Sequence, residues 1–380
     1  MSNTPPMKKI VIAGANSFVA SHFVHELLVQ GFDVIALVRG SSDQSAQDRM
    51  NQALIDTTLN FPSNLDQLTV LDYALLEEDF GIPGSKLEWI FSEGVDFFHF
   101  AASLKFDYQS KEEIFKTNVD GLHNALKIFN RYSRNNDRLF FISTAYSCGI
   151  FPGRFEEKFY PEDDISSFRN YYEQSKRYAE NTLKKFMEEN GTQAHVIRLS
   201  QVVGNSETGV TITDYGIFDF ARRIQALSYE FPHQTIRILA DPQANQNLIA
   251  IDTTVHDLMQ LLKVESLPTI LNFVANKPVE NHQIIQTISD LLPINLVPIK
   301  DITADQMNKL EQLVLSGMSF TGNYIDTDIR FDTTNRDHVI SSNNRTVSKE
   351  SLEAMLSYYL DQLHSKYAGK EKADKRDVPL

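Results

Sequence analysis

The chain has 380 residues, 42% hydrophobic and 23% charged, which suits an ordinary globular protein long enough for more than one core. A net charge of −14 with no concentrated basic patch argues against nucleic acid or a membrane surface as partner. A single cysteine, Cys148, excludes an intrachain disulfide and a cysteine-based metal cluster.

From the start of the chain, apolar runs at 10–13, 34–38, 68–71, 97–100, 139–142 and 196–199 are short and nearly continuous. Strands buried on both faces of a parallel sheet read this way. Helical patterns at 18–30, 44–59, 112–132 and 171–189 fall between them, with Gly31 and Gly191 where helix-ending glycines belong. The alternation predicts an α/β fold, a doubly wound parallel Rossmann sheet of about seven strands, with a smaller mixed C-terminal substrate lobe. The dinucleotide-binding domain is expected over 8–204 and takes in a strand near 270–274. Residues 205–365 are expected to form mainly the substrate lobe, with helices near 217–227, 281–292 and 349–363, and 366–380 a disordered tail. No stretch reaches membrane-spanning length, and the apolar run before Gly14 is too short for a signal peptide, so a cytoplasmic location is expected.

The first strand leads into Gly14, Ala15, Asn16, Ser17, Phe18, Val19 and Ala20, and then a helix. Such a turn aims free backbone N–H groups and the positive helix end at a pyrophosphate. Small residues at 14, 17 and 20 keep the GxxGxxG spacing, although only Gly14 is glycine. Ser17 could crowd a diphosphate or donate a hydrogen bond to it. Any strand–turn–helix unit with small residues at its crossing is the other reading. The next strand ends at Arg39, whose guanidinium suits a ribose 2′-phosphate, so NADP is expected over NAD. Asp33, at about the spacing of an NAD-type acid, sits at the opposite end of that strand. A plain surface arginine is the alternative.

Strand 139–142 runs into Ser143, Thr144 and Ala145, which brings hydroxyls to the carboxyl end of a strand, where open α/β sheets bind ligands. Tyr172 and Lys176 open the helix at 171–189, four residues apart and on one face. An ammonium beside a phenol lowers its pKa and makes it a better acid. His22 and His25 lie three apart on one helix, but no third ligand accompanies them and no metal is expected. His99 reads as a satisfied core histidine and Cys148 as a packed thiol. Phe218 and Phe220 read as core, with an acyl pocket as the other use for them.

Taken together, Gly14, Asp72, His99-Phe100-Ala101-Ala102, Asn118-Val119-Asp120-Gly121, Ser143-Thr144-Ala145, Tyr172 with Lys176, and Arg198-Leu199-Ser200 resemble the extended short-chain dehydrogenase/reductase family. The marks cover about residues 8–275 in the family's order. The likeness is nearest to thioester reductases and fatty acyl reductases, through Ala36-Leu37-Val38-Arg39, the long helix after the second strand, Tyr146 after Ala145, and the run from Val202 to Gly209. The resemblance implies that Thr144 holds the reacting carbonyl oxygen, Tyr172 donates the proton, Lys176 binds the nicotinamide ribose and Asn118 organises the proton relay. Asp72 would contact adenine, and Gly14, Asn16, Ser17, Phe18, Val19, Arg39, Ala101, Ala102 and Lys176 would complete the NADP contacts. Ser17, Ala20, Leu71 and Leu199 depart from the family pattern and bear on cofactor affinity. The implied activity is NADPH-dependent reduction of an acyl thioester, on CoA or a carrier protein, to aldehyde or alcohol. A ketone or sugar-nucleotide reductase, dehydrogenase or epimerase on the same scaffold, and a non-catalytic NADP-sensing scaffold, are the alternatives. Chain length of the substrate and oligomeric state have no signature in the sequence.

Overall fold

The computed structural model describes residues 8–58, 62, 64–317, 324, 328–341 and 345–374. They fall into two compact units, the first within Met1–Ser200, Thr254–Val274 and Ile329–Asn343, the second within Gln201–Thr253, Ala275–Asp328 and Asn344–Leu380.

The first unit is built on seven parallel strands: β1 (Lys9–Ala13), β2 (Val34–Val38), β3 (Leu68–Asp72), β4 (Val95–His99), β5 (Arg138–Thr144), β6 (Ala194–Leu199) and β7 (Ile270–Phe273). Their spatial order is β7-β6-β5-β4-β1-β2-β3. Chain order reverses between β1 and β4, and the crevice at such a switch point is where doubly wound sheets take ligands. Among its helices are α1 (Phe18–Val29), α2 (Ala46–Thr58), α3 (Gly84–Ile90), α4 (Gly121–Tyr132) and α5 (Tyr171–Asn190). The central strands are apolar on both faces because helices cover both. On one face Phe98 stacks on Phe140 with ring centres 4.4 Å apart, and Phe23 of α1 packs against Phe98. On the other, Phe97, Phe141, Phe129 and Leu183 share one core.

The helix read over 112–132 is interrupted. Lys111–Phe115 is followed by a π-helical turn, Lys116–Asp120, before α4 begins. A π-turn inserts a residue into the helical ladder and re-aims one side chain, here the buried Asn118. Strand β4 starts two residues earlier than the apolar run at 97–100 and ends at His99. The helix α5 begins where Asn170 accepts the Glu173 N–H at 2.9 Å, and it stops at Gly191, whose φ of +67° is left-handed.

The second unit packs Thr235–Leu239 in parallel with Asn295–Ile299 and surrounds the pair with helices Ile217–Glu230, Asn281–Leu291, Lys309–Gly317 and Lys349–Asp374. Phe218 and Phe220 are buried in its core with Ile238, Leu296 and Met355. The last helix runs into the segment expected as a tail, as far as Asp374, and 375–380 lie outside the described residues. Among the described residues no helix is long and apolar enough to cross a membrane.

One buried ion pair ties α5 to β6 and to the carboxyl end of β5. Glu180 of α5 and Arg198 of β6 are both fully buried, and Arg198 Nη2 meets Glu180 Oε2 at 2.6 Å while its Nε meets Oε1 at 3.0 Å. Ser143 and Ser147 donate to the same Oε1 at 2.6 and 3.1 Å. Two further guanidinium N–H groups go to the carbonyls of Glu156 and Lys158, at 3.1 and 3.0 Å. With its partners this complete, the pair escapes most of the desolvation penalty, whereas removing one member leaves a buried charge uncompensated. Glu180→Gln should therefore lower unfolding free energy in urea by about 3 kcal/mol or more. An unchanged urea midpoint would show that the serines and carbonyls suffice without the carboxylate charge.

Candidate active site

The loop after β1 turns at Gly14, with φ +79°. A Cβ there would lie 2.8 Å from the backbone nitrogen of Ala101, so only glycine lets the loops after β1 and β4 approach this closely. Gly14 N–H donates to the Leu37 carbonyl at 3.0 Å. Asn16, Phe18 and Val19 are half-buried and Ser17 is exposed. Ser17 occupies the N-cap position of α1 without a side-chain capping bond, which leaves first-turn N–H groups without intrahelical acceptors. The buried Ala20 occupies the place where a third glycine is expected. A glycine-tight turn opening onto an uncapped helix start fits a dinucleotide pyrophosphate.

Beside it, Arg39 is exposed just past β2, and Asp72 ends β3, accepting the Gly40 N–H at 2.8 Å. Two residues escaped the sequence reading. Arg49, in the first turn of α2, donates to the Arg39 carbonyl and brings a second guanidinium to this corner. Tyr73 is buried; burial pushes its phenol up to about 12, against a lowering pull from the Arg39 charge and the Gly14 backbone. Tyr73 directly follows Asp72, so position along β3 was the available signal.

At the other end, Thr144 Oγ1 donates to the Leu199 carbonyl and accepts the Tyr146 N–H, both at 3.2 Å. Lys176 is buried and its Nζ donates to the Ile142 carbonyl at 2.9 Å, two residues before Thr144. The same Nζ lies 4.9 Å from the centre of the Phe141 ring and 6.0 Å from that of Tyr172. Burial lowers Lys176 to about 7, against an opposing pull from Glu180. The Tyr172 phenol was expected to be lowered, and the structure gives the reverse. Burial, with the Glu173 carboxylate adding to it, raises its pKa. The ammonium is held away on the Ile142 carbonyl, so desolvation prevails.

Asn118 ties these parts together. Its Oδ1 accepts the Ser103 N–H at 2.7 Å, and its Nδ2 donates to the Ser103 carbonyl at 3.2 Å and to Ser175 Oγ at 2.9 Å. Ser175 in turn donates to the Tyr172 carbonyl at 2.8 Å. The π-turn thus clamps the loop after β4, including Ala101 and the half-buried Ala102, to the first turn of α5.

His99 is fully buried, but it is not satisfied: neither ring nitrogen has a hydrogen-bond partner among the described residues. Burial, then the Lys176 charge, lowers it to about 3, so it stays neutral. Cys148 is buried in the turn after β5 and pushed up to about 12 by burial, which makes it an inert thiol. His22 Nδ1 bonds the Phe18 carbonyl of its own helix at 2.9 Å. No group of three or more metal-ligating side chains is found among the described residues.

The nonribosomal peptide synthetase asaC of Aspergillus flavus is 26% identical over 258 residues, which are 66% of this chain and 24% of that protein. The tetraketide alpha-pyrone reductase 1 of Arabidopsis thaliana is 28% identical over 211 residues, 52% of this chain and 58% of its own. The chain thus spans less than two thirds of the length of the curated relatives it matches, and about a quarter of the synthetase. Among solved structures, the terminal R domain from the myxalamid PKS-NRPS biosynthetic pathway shares the fold with a TM-score of 0.75 and 17% identity, over 95% of this chain and 92% of that one. The UDP-glucose 4-epimerase of Thermotoga maritima gives a TM-score of 0.62 at 17% identity, over 93% and 99%. The model of an NAD-binding family described as male sterility protein matches residues 12–258. The chain belongs to that family, within the thioester reductase-like extended short-chain dehydrogenase/reductases.

Proposed function

We propose that the chain is an NADP-dependent reductase that delivers hydride to the carbonyl of an acyl thioester, carried on CoA or on a carrier protein, to give an aldehyde or alcohol. The observation that carries this reading is the buried Lys176, held on the Ile142 carbonyl with its Nζ 6.0 Å from the centre of the Tyr172 ring. A desolvated amine at the carboxyl end of a sheet is costly and needs a chemical reason to be there. Bound NADPH would supply the hydride. Gly14, Asn16, Ser17, Phe18, Val19, Ala101 and Ala102 would hold its pyrophosphate side, Asp72 its adenine, and Lys176 its nicotinamide ribose. Arg39 would grip the 2′-phosphate, with Arg49 beside it, since a guanidinium fork matches phosphate oxygens. A cytoplasmic location suits this cofactor.

Thr144 would turn its hydroxyl from the Leu199 carbonyl to the substrate oxygen as negative charge develops there, and Tyr172 would transfer its proton to that oxygen. Because its pKa is raised, the phenol is fully protonated at neutral pH, as an acid must be. Asn118 would hold the tyrosine's turn in place through Ser175. From a thioester, the reduced centre loses its thiol and leaves an aldehyde.

Wild-type protein should bind NADPH far more tightly than NADH in a fluorescence titration. Arg39→Ala should weaken NADPH at least about tenfold, the cost of one charge-assisted contact, and move NADH little. Equal loss for both nucleotides would assign Arg39 to the fold instead. Turnover of acyl-CoA that disappears in Tyr172→Phe would establish the reaction, while turnover of sugar nucleotides instead would replace it.

The pH profile offers a separate check. Lys176 is charged below about pH 7 and loses that charge above it, so kcat/KM for reduction should fall as pH rises through 7. Lys176→Arg, whose guanidinium stays charged, should flatten that limb between about pH 6 and about 9, even at a lower rate. A limb that persists in the variant would point to another group.

A further inference from the structure

Beyond β4, the chain runs without regular structure through Leu104, Lys105, Phe106 and Asp107 before a short 3₁₀ turn at Tyr108–Ser110. Its side chains alternate in character. Lys105 pairs with Glu113 at 2.6 Å, and Asp107 caps the turn by accepting the Ser110 N–H at 2.8 Å and the Ser110 hydroxyl at 2.9 Å. The other three positions are Leu104, Phe106 and Tyr108, a strip of apolar side chains two residues apart. Leu104 and Tyr108 are 42% and 61% exposed.

The segment is held firmly where it lies. Asn118 bonds both backbone groups of Ser103 at its start. Tyr108 donates its hydroxyl to the Arg169 carbonyl at 3.2 Å, and its ring meets Tyr171 edge-on at 5.4 Å. Between these anchors, the ring of Phe106 stands edge-to-face against Tyr172, with centroids 5.4 Å apart and planes at 72°. A ring so close to the proton donor borders any substrate whose carbonyl oxygen reaches that phenol.

We propose that Phe106 is a specificity-determining residue, the wall against which the first carbons of the substrate's acyl chain lie, with Leu104 and Tyr108 extending the same apolar strip. The strip suits a hydrocarbon and not the thiol arm, because a pantetheine arm carries amides that would lose hydrogen bonds against it. The occupant is thus an apolar acyl group, and its recognition is by area and not by polar readout. This rests on the thioester reading of the same site.

The test is a series of straight-chain acyl-CoA substrates from acetyl to dodecanoyl, assayed with NADPH for wild type, Phe106→Ala and Phe106→Leu. Wild-type kcat/KM should climb by up to about fourfold per methylene over the first few carbons, the worth of burying one such group. Phe106→Ala should flatten that climb through KM, so that its loss grows with chain length to about tenfold or more. Phe106→Leu, which keeps apolar area, should restore much of the slope, and NADPH affinity should be the same in all three. A loss of equal size at every chain length would overturn the proposal and make Phe106 a support for Tyr172. A wild type with no dependence on chain length would overturn it as well. Failure of every acyl-CoA while ketones or sugar nucleotides are reduced would instead overturn the thioester reading, and this proposal with it.

Discussion

The carboxylate of Glu180 is the constraint on which the geometry of the site depends. It lies one turn past Lys176 on α5, and its bonds reach Ser143, Ser147 and Arg198. Each of these is a neighbour of something the proposed chemistry would use. Ser143 precedes Thr144 on β5, Ser147 belongs to the turn that Thr144 opens, and Arg198 precedes Leu199, whose carbonyl receives the Thr144 proton. A shift of one residue in β5 or β6 would turn every side chain to the opposite face and break all of these bonds together. One buried anion therefore sets the relative register of the helix with the phenol and the two strands with the hydroxyl. The same charge keeps Lys176 from being driven still lower by burial, so structure and acid–base balance share one cause.

The cofactor end of the sheet is organised differently, by close approach and not by charge. Gly14 against Ala101 brings the loops after β1 and β4 within van der Waals limits, and no side chain larger than hydrogen fits between them. The departures from the glycine pattern are tolerated for separate reasons. Ala20 is buried where helix meets strand and needs only to be small, and Ser17 faces outward with its hydroxyl uncommitted to the helix cap. The erosion of the motif thus leaves the turn intact.

Periodicity carried the strands, because buried parallel strands are continuous apolar runs, and it carried α5, because Tyr172 and Lys176 repeat at helical spacing. What it missed were pairings between distant residues. Glu180 looks like any helical glutamate, and nothing local shows that residues 143, 147 and 198 converge on it. Asn118 drew notice through family likeness, yet its π-turn has no periodic signature, since one extra residue in a ladder leaves the apolar spacing nearly unchanged. His99 was read as satisfied because buried imidazoles usually are, and its bare nitrogens are a property of three-dimensional neighbours alone. Phe106 passed unnoticed because an aromatic in an irregular segment has no period to match.

The Thr144 hydroxyl and the Lys176 amine share a further property: each already donates to a backbone carbonyl. Thr144 donates to Leu199, Lys176 to Ile142, and Tyr172 rests against Phe106. Those internal acceptors hold the side chains near their working positions at little entropic cost, which a solvent-exposed threonine or lysine would bear on every binding event. Neutral carbonyls are weaker acceptors than a developing oxyanion, so under the proposed reaction the hydroxyl would gain by moving to the substrate only as charge appears there. Preference for the charged state over the ground state is what distinguishes a catalyst from a binding protein, and in the proposed reaction it would follow from what the side chains hold beforehand.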